Sequence, residues 1–310
     1  MSNPVSHFIT AQDGLKLHVR AYGASATLAL PVVCLPGLAR TGADFHRLAS
    51  ALADDAKHPG AKHPGAKHPR SVLALDYRGR GLSDYDGNPD NYSLPVELAD
   101  VLSVLTTFEI SRAVIVGTSR GGLLAMLLGS ARPAALAGVV LNDIGPVLEP
   151  HGLARIKSYV GRLPQPKSFE EAAEVLRQLF SPQFPALSAD DWMDLAQRTF
   201  RDQGGRIIPD YDPKLALALR DVDIERPPPT LWQQFDSLAD VPMLIIRGAN
   251  SDLLSPATFE AMRARRQQCE TLVVPDQGHA PLLTDDETIS RISAFVRFCE
   301  HPEAAARQNS

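Results

Sequence analysis

The stretch Val114-Ile-Val-Gly-Thr-Ser-Arg-Gly-Gly122 has the clearest potential for chemistry in this sequence. Residues 117–121 read G-x-S-x-G, directly after an apolar run that predicts a strand and directly before a pattern that predicts a helix. On such a sharp turn a serine presents its hydroxyl away from the backbone, and flanking glycines leave room for the chain to bend. The pattern therefore predicts that Ser119 is a nucleophile, the alternative being an ordinary serine at a helix N-terminus.

A serine nucleophile needs a base, and the base needs an acid to orient it. His279 follows the apolar run Thr271–Pro275, and Asp252 follows the apolar run Met243–Arg247. Together with the nucleophile they occur in the chain order Ser, Asp, His that this type of site uses. Because the carboxyl ends of parallel strands meet at one edge of a sheet, we expect His279 as the base and Asp252 as the acid.

Asp143 is the alternative acid. It comes directly after the apolar run Gly138–Asn142, so it is expected at the same sheet edge and within reach of the same histidine. The competing interpretation is a hinge or helix-capping residue at the start of the segment that follows. We expect Asp252 rather than Asp143 to orient the histidine.

Acyl transfer also needs two N–H donors for the negative oxygen of the tetrahedral intermediate. One is expected to be the amide of Arg120, directly after the nucleophile and at the positive end of a helix. The other is expected from the loop after the apolar run Pro31–Leu35, where Gly37 allows a turn and the amide of Leu38 follows.

Three side chains are candidates for the substrate pocket. The Arg120 guanidinium could pair with a substrate carboxylate, or it could form a structural salt bridge with a core or cap carboxylate. Trp192 and Trp232 could line the pocket, the alternative being that they pack within their own segment.

The elements that must position these residues follow from the apolar pattern. Short apolar runs without strict alternation recur with helical patterns between them, which predicts strands buried on both faces in a mostly parallel α/β sheet. Residues 147–238 break this rhythm and predict several helices punctuated by proline, a cap over the carboxyl edge of the sheet. The predicted core is therefore discontinuous, with residues 1–146 and 239–310 on either side of the cap.

The composition excludes several classes of protein. The 310 residues are 44% hydrophobic and 22% charged with a net charge of −5, which is typical of a soluble globular protein and offers no basic excess for nucleic acid or an anionic membrane. Three widely spaced cysteines indicate a reducing compartment, and the first residues lack the pattern of a secretory signal, so a cytoplasmic location is expected.

A pentapeptide repeat, AKHPG-AKHPG-AKHP, occupies residues 56–69. Proline and glycine in each full copy exclude a helix, and long surface loops cost little because closure entropy grows slowly with length. We expect a loop within the core rather than a metal site formed by its histidines.

Several of these segments resemble motifs of the α/β-hydrolase family. Residues 76–84 resemble its D-x-R-G-x-G-x-S-D turn, residues 36–38 its H-G-x oxyanion loop with Pro36 in place of histidine, and residues 117–122 its nucleophile elbow with Arg120 in place of the usual Met, Gln or Leu. The resemblance implies an α/β-hydrolase fold: a mostly parallel eight-stranded sheet flanked by helices, with an inserted helical cap. It also implies a serine hydrolase that uses no cofactor and no metal.

The expected function is hydrolysis of a small-molecule carboxylic ester or lactone through an acyl-enzyme. The alternative is hydrolysis of a carbon–carbon bond in a diketone or ring-cleavage product, and a third interpretation is a non-catalytic ligand-binding protein on a hydrolase scaffold. The two hydrolytic reactions need the same serine, histidine and oxyanion donors, so the sequence leaves them open, and it predicts no oligomeric state.

Overall fold

The computed structural model of the protein describes residues 3–23, 28–54, 70–223, 225, 228–266 and 269–300. The repeat at residues 56–69 lies outside these ranges. An eight-stranded sheet forms the centre, with the strands in the order β1-β2-β4-β3-β5-β6-β9-β10. Its strands are β1 Val5–Thr10, β2 Lys16–Tyr22, β3 Val32–Leu35, β4 Val72–Asp76, β5 Ala113–Thr118, β6 Leu136–Asn142, β9 Met243–Gly248 and β10 Glu270–Val274.

The central strands are parallel, whereas β1 and β2 join the sheet antiparallel through the pairs β1–β2 and β2–β4. Every residue of β3, β4, β6 and β9 is buried, which is why these strands appear in the sequence as continuous apolar runs. The predicted mostly parallel sheet of eight strands is confirmed.

Helices cover both faces of the sheet and complete two hydrophobic cores. On one face lie α1 and α9, which pack Leu48 and Phe295 against the sheet. On the other lie α2, α3 and α8. The helices of the two faces are α1 His46–Ala53, α2 Leu94–Thr107, α3 Arg120–Ala131, α8 Pro256–Arg265 and α9 Asp286–Glu300. In the described ranges, every helix is too short or too polar to cross a membrane.

Residues 147–238, which we call the cap, leave the sheet after β6 and return to it at β9. Their helices are α4 Pro150–Tyr159, α5 Phe169–Phe180, α6 Ala189–Thr199 and α7 Trp232–Asp236. The cap also contains an antiparallel hairpin of β7 Phe200–Asp202 and β8 Ile207–Pro209, which the helical pattern did not predict. The cap helices α5 and α6 and this hairpin share a small hydrophobic core of their own.

Asp76, at the carboxyl end of β4, holds the loops of this sheet edge together. Its fully buried carboxylate accepts hydrogen bonds from the amide of Gly42 at 2.6 Å and the amide of Leu82 at 3.2 Å, and it contacts the ring of His18 at 2.7 Å. The loop after β3 is thereby tied to the turn after β4. The candidate site residues therefore leave the sheet at an edge whose loops are connected by buried hydrogen bonds.

Candidate active site

Ser119 lies at the turn between β5 and α3 with φ +52°, in the region that costs a non-glycine residue conformational energy. The glycines beside it are required by close packing. A methyl group on Gly121 would lie 2.0 Å from the carbonyl oxygen of Leu35, and one on Gly117 would lie 2.5 Å from the carbonyl oxygen of Gly121. The start of α3 can therefore reach the end of β3, which leaves the serine side chain at the exposed point of the turn.

A chain of hydrogen bonds runs from Ser119 through His279 to Asp143. Ser119 Oγ lies 2.8 Å from His279 Nε2, and His279 Nδ1 lies 2.7 Å from Asp143 Oδ2. Because a carboxylate can only accept, Nδ1 carries the proton and Nε2 is left to accept from the serine hydroxyl. The three groups have the order and distances that nucleophile activation requires.

Asp143 is buried and its orientation is fixed by further donors. One carboxylate oxygen accepts from the amide of Gly248 at 2.8 Å, and the oxygen that faces His279 also accepts from the hydroxyl of Ser251 at 2.6 Å. Both donors belong to the end of β9 and the loop that follows it. These two donors fix the orientation of the carboxylate, with Oδ2 directed at the histidine ring.

The prediction that Asp252 orients His279 is wrong. Its two carboxylate oxygens accept instead from Arg155 of the cap helix α4, at 2.6 Å from Nε and 2.9 Å from Nη2. The physical reason is the course of the loop after β9: Ser251 turns towards Asp143, and the next residue points towards the cap. Asp143 emerges beside the nucleophile because β6 is the neighbour of β5 in the sheet.

The surroundings of Asp252 are those of a carboxylate that pairs with a cationic side chain of the cap. Burial alone would raise the pKa of its carboxyl, but the hydrogen bonds and positive charge of Arg155 bring that pKa below its ordinary value. The ionised carboxylate is therefore the form that the folded chain favours.

The amides of Leu38 and Arg120 lie on the two segments that flank the nucleophile. A methyl group on Gly37 would lie 3.8 Å from Ser119 Cβ, so the loop after β3 passes directly beside the serine. Within the described ranges neither amide has a hydrogen-bond acceptor. Both are therefore available to an oxygen atom of a ligand.

Ser119 and His279 open onto a cavity of about 140 Å³ between the sheet edge and the cap. Most of its lining is apolar, and the core and the cap both contribute to it. Its polar residues include Arg40 and Asp44 from the core, and Arg198 and Thr199 from the cap. The apolar lining includes Leu38, Phe45, Ile156, Val160, Leu163, Leu176, Phe180, Phe184, Leu195, Leu282 and Leu283.

The three side chains expected in the pocket do not line this cavity. Arg120 points away, with Nε 2.5 Å from a carboxylate oxygen of Glu97, so its structural alternative is the one observed. Trp192 is buried in the small core of the cap. Trp232 packs edge-on against Phe235 and carries the guanidinium of Arg265 over its ring. The aromatic residue type alone did not show whether a side chain of the cap lines the cavity or packs within the cap.

A second serine has hydrogen bonds of the same kind without the surroundings of Ser119. Ser6 Oγ lies 2.9 Å from His18 Nε2, and His18 Nδ1 lies 2.7 Å from Asp76. Ser6, however, is an exposed residue of the edge strand β1 and does not line the cavity. It lies within β1, where it pairs with Arg20 of β2, and it serves below as a matched control.

Comparisons with known proteins bear on the family and the fold of this chain. A family model described as the alpha/beta hydrolase family matches residues 32–291. A 3-hydroxybutyrate-oligomer hydrolase from Cupriavidus necator is 31% identical over 95% of this chain and 98% of that protein. A crystal structure of an alpha/beta hydrolase from Novosphingobium aromaticivorans is 38% identical with a TM-score of 0.86, covering 96% of this chain and 99% of that one. A 2-(acetamidomethylene)succinate hydrolase from Mesorhizobium japonicum is 25% identical over 73% of this chain and 78% of that protein.

The Arg155–Asp252 pair gives a pH prediction. Since the pKa of Asp252 is lowered in the folded chain, its contribution to stability is present above the ordinary carboxyl pKa and is lost as the pH falls through the lowered value. Asp252→Asn should therefore lower Tm near neutral pH, and the difference from wild type should shrink as the pH falls through the lowered pKa of Asp252. Thermal unfolding of both proteins across this range is the measurement. A Tm difference that is constant with pH would contradict the assignment.

Proposed function

This chain belongs to the α/β-hydrolase family, and we propose that within it the protein is a serine hydrolase that cleaves small-molecule carboxylic esters through an acyl-enzyme. The observation that carries the proposal is the hydrogen-bonded chain Ser119–His279–Asp143, with contacts of 2.8 and 2.7 Å, at the wall of an apolar cavity. A nucleophile, its base and an orienting acid are the groups that acyl transfer needs.

In the acylation step Ser119 Oγ attacks the ester carbonyl carbon while His279 Nε2 takes the hydroxyl proton. The buried carboxylate of Asp143 stabilises the imidazolium that forms and keeps the ring oriented. When the tetrahedral intermediate collapses, the carbon–oxygen bond to the alcohol breaks and the imidazolium protonates the leaving alkoxide. The products of this step are the free alcohol and an ester of Ser119.

Deacylation repeats the sequence with water as the nucleophile. His279 takes a proton from the water as it attacks, and Ser119 leaves with that proton as the acid is released. In both steps the carbonyl oxygen becomes negative, and the amides of Leu38 and Arg120 are the proposed donors to it. Their position beside the serine and their lack of acceptors in the described part of the chain support this role.

The cavity supports a short acyl group as the substrate. Its volume of about 140 Å³ is close to that of a cavity that accommodates benzene, which has about six non-hydrogen atoms. A 3-hydroxybutyryl group has the same number. The Cupriavidus relative is named for hydrolysing oligomers of 3-hydroxybutyrate, whose units are joined by ester bonds. We propose short esters of 3-hydroxy acids as the preferred substrates.

The polar part of the cavity offers partners for the hydroxyl of such a group. Arg40 donates to both carboxylate oxygens of Asp44 and to the hydroxyl of Thr199, which leaves further N–H groups of its guanidinium for a ligand. Arg40 Cγ and Ser119 Cβ lie 3.3 and 3.8 Å from the point that a methyl group on Gly37 would occupy, so they are at most about 7 Å apart. The Arg40 side chain therefore starts close to the nucleophile, and its guanidinium is the proposed partner of the substrate hydroxyl.

The substrate class is tested by the ratio of kcat/KM for p-nitrophenyl 3-hydroxybutyrate and p-nitrophenyl butyrate. Because a site built to hydrogen-bond a hydroxyl discriminates against an analogue that lacks it, the ratio should exceed about ten in wild type and fall towards one in Arg40→Met. A lactone and a 1,5-diketone complete the panel. Turnover of the diketone in preference to the esters would instead indicate a carbon–carbon bond hydrolase.

Ser119→Ala should abolish nearly all ester turnover, since loss of a triad nucleophile costs about 10⁶ in kcat. Ser6→Ala is the matched control because Ser6 has the same histidine–aspartate contacts away from the cavity, and it should keep wild-type turnover. Steady-state assays and fluorophosphonate labelling with peptide mapping make the comparison. Labelling at Ser6, or turnover in Ser119→Ala, would contradict the assignment.

Asp143→Asn should lower kcat by about 10⁴, because an amide in place of the triad carboxylate favours the wrong histidine tautomer. Asp252→Asn should keep kcat within about threefold of wild type, since its partner is the cap arginine and not the histidine. Single-turnover measurements on both variants give the ranking. The opposite ranking would return the role of acid to Asp252.

A further inference from the structure

Three charged side chains form a buried bridge behind the nucleophile. Glu97 of α2 is fully buried, with Oε2 2.5 Å from Arg120 Nε and Oε1 2.8 Å from Arg80 Nη1. Arg80 is fully buried in the turn after β4, and Arg120 is the first residue of α3. The contact between Arg80 and Glu97 has the distance of an ion pair without the alignment of a hydrogen bond. We call this cluster the Arg80–Glu97–Arg120 bridge.

Each end of the bridge meets one of the two amides proposed for the oxyanion. Arg80 Nε donates to the carbonyl oxygen of Leu38 at 2.8 Å, so it fixes the loop whose amide is the first donor. Arg120 carries the second donor on its own backbone. Glu97 thus connects, through two guanidinium groups, two segments that are distant in the sequence.

The outer atoms of the bridge are also held. Arg80 lies against the rings of Tyr77 and Tyr92, with its Cζ 5.5 and 5.6 Å from their centroids, and its Nη1 donates to the carbonyl oxygen of Arg78 at 2.6 Å. Arg120 Nη2 donates to the carbonyl oxygen of Tyr92 at 3.1 Å. The guanidinium groups therefore have little freedom to reorient.

Glu97 is held in its ionised form by the two arginines of the bridge. Burial alone would raise the pKa of Glu97, but the two arginines bring it below its ordinary value, so the carboxylate is ionised. An ionised carboxylate binds both guanidinium groups more firmly than a neutral amide would, because charge-assisted hydrogen bonds are the stronger ones.

We propose that the Arg80–Glu97–Arg120 bridge is a positioning device that holds the amides of Leu38 and Arg120 at the separation the oxyanion requires. The inference rests on the proposed serine hydrolase function. Because donors displaced by a fraction of an ångström lose transition-state stabilisation while substrate binding continues, damage to the bridge must appear in kcat and leave KM nearly unchanged.

Glu97→Gln is the test variant, because it keeps the shape and removes the charge. Asp100→Asn is the matched control: Asp100 is buried on the same helix, pairs with Arg78 of the same turn at 2.7 and 2.6 Å, and has no hydrogen bond to Leu38 or Arg120. Both variants lose a buried carboxylate from an ion pair, so both should lower Tm. They should differ in catalysis.

The expected result for Glu97→Gln is a fall of about tenfold to a hundredfold in kcat on a p-nitrophenyl ester, with KM within about twofold of wild type. Inhibition by a trifluoromethyl ketone, which forms a tetrahedral adduct, should weaken by the same factor as kcat/KM. Asp100→Asn should keep wild-type kcat and inhibition at a temperature below its Tm. Arg120→Met should reproduce the kcat effect, with partial rescue in Arg120→Lys, and it covers the case that Glu97→Gln does not fold.

The outcomes separate the two proposals. Wild type without ester turnover or Ser119 labelling would overturn the proposed function, and the bridge proposal with it. An active wild type whose kcat is unchanged by Glu97→Gln and Arg120→Met would overturn the bridge proposal alone. An equal loss of kcat in Glu97→Gln and Asp100→Asn would also overturn it, because a general loss of rigidity would then explain both.

Discussion

The site depends on the contact between the first turn of α3 and the end of β3. Gly121 lies so close to the carbonyl oxygen of Leu35 that no larger residue fits without moving backbone. This approach forces the chain through a positive φ at Ser119 and presents the serine hydroxyl together with the first free amides of the helix. It also brings the loop after β3 alongside, since that loop continues from Leu35. The positions of the nucleophile and of the oxyanion donors thus depend on the same close contact between α3 and β3.

Buried charge supplies the second constraint. Asp76 ends β4, and Arg78 and Arg80 lie in the turn that follows it. Each binds a different partner: the loop after β3, helix α2, and the bridge to α3. Ion pairs in such surroundings contribute little net stability relative to apolar packing, but breaking one is costly because it leaves an unpaired buried charge. Their effect is to specify one arrangement of the loops. The cap is attached by similar means, through Arg155 and Asp252 on one side and through Arg40, Asp44 and Thr199 on the other.

The sequence predicted the sheet well for a physical reason. Strands such as β6 and β9 are buried on both faces, so most of their residues are apolar and they appear in the sequence as continuous apolar runs. Ser119 and His279 were predictable because each follows an apolar run within a glycine-containing turn. The short hairpin of β7 and β8 was missed, since strands of three residues leave no period to recognise.

The acid was mispredicted because side-chain direction in a loop is a tertiary property. Asp252 lies four residues beyond the end of β9, and the path of those residues depends on Ser251 bonding to Asp143, a contact between segments more than a hundred residues apart. Asp143 comes directly after its strand, where the sheet itself sets its position. The sequence also did not predict which cap residues line the cavity. Trp192 and Leu195 lie on one cap helix, and only Leu195 lines the cavity.

The most direct test of the account is a crystal structure of the protein inactivated by a fluorophosphonate. We expect a covalent bond from phosphorus to Ser119 Oγ, with the phosphonyl oxygen about 2.7–3.1 Å from the amide nitrogens of both Leu38 and Arg120. We also expect that His279 remains in contact with Asp143. An adduct on another serine, or a phosphonyl oxygen that turns away from both amides, would contradict the account.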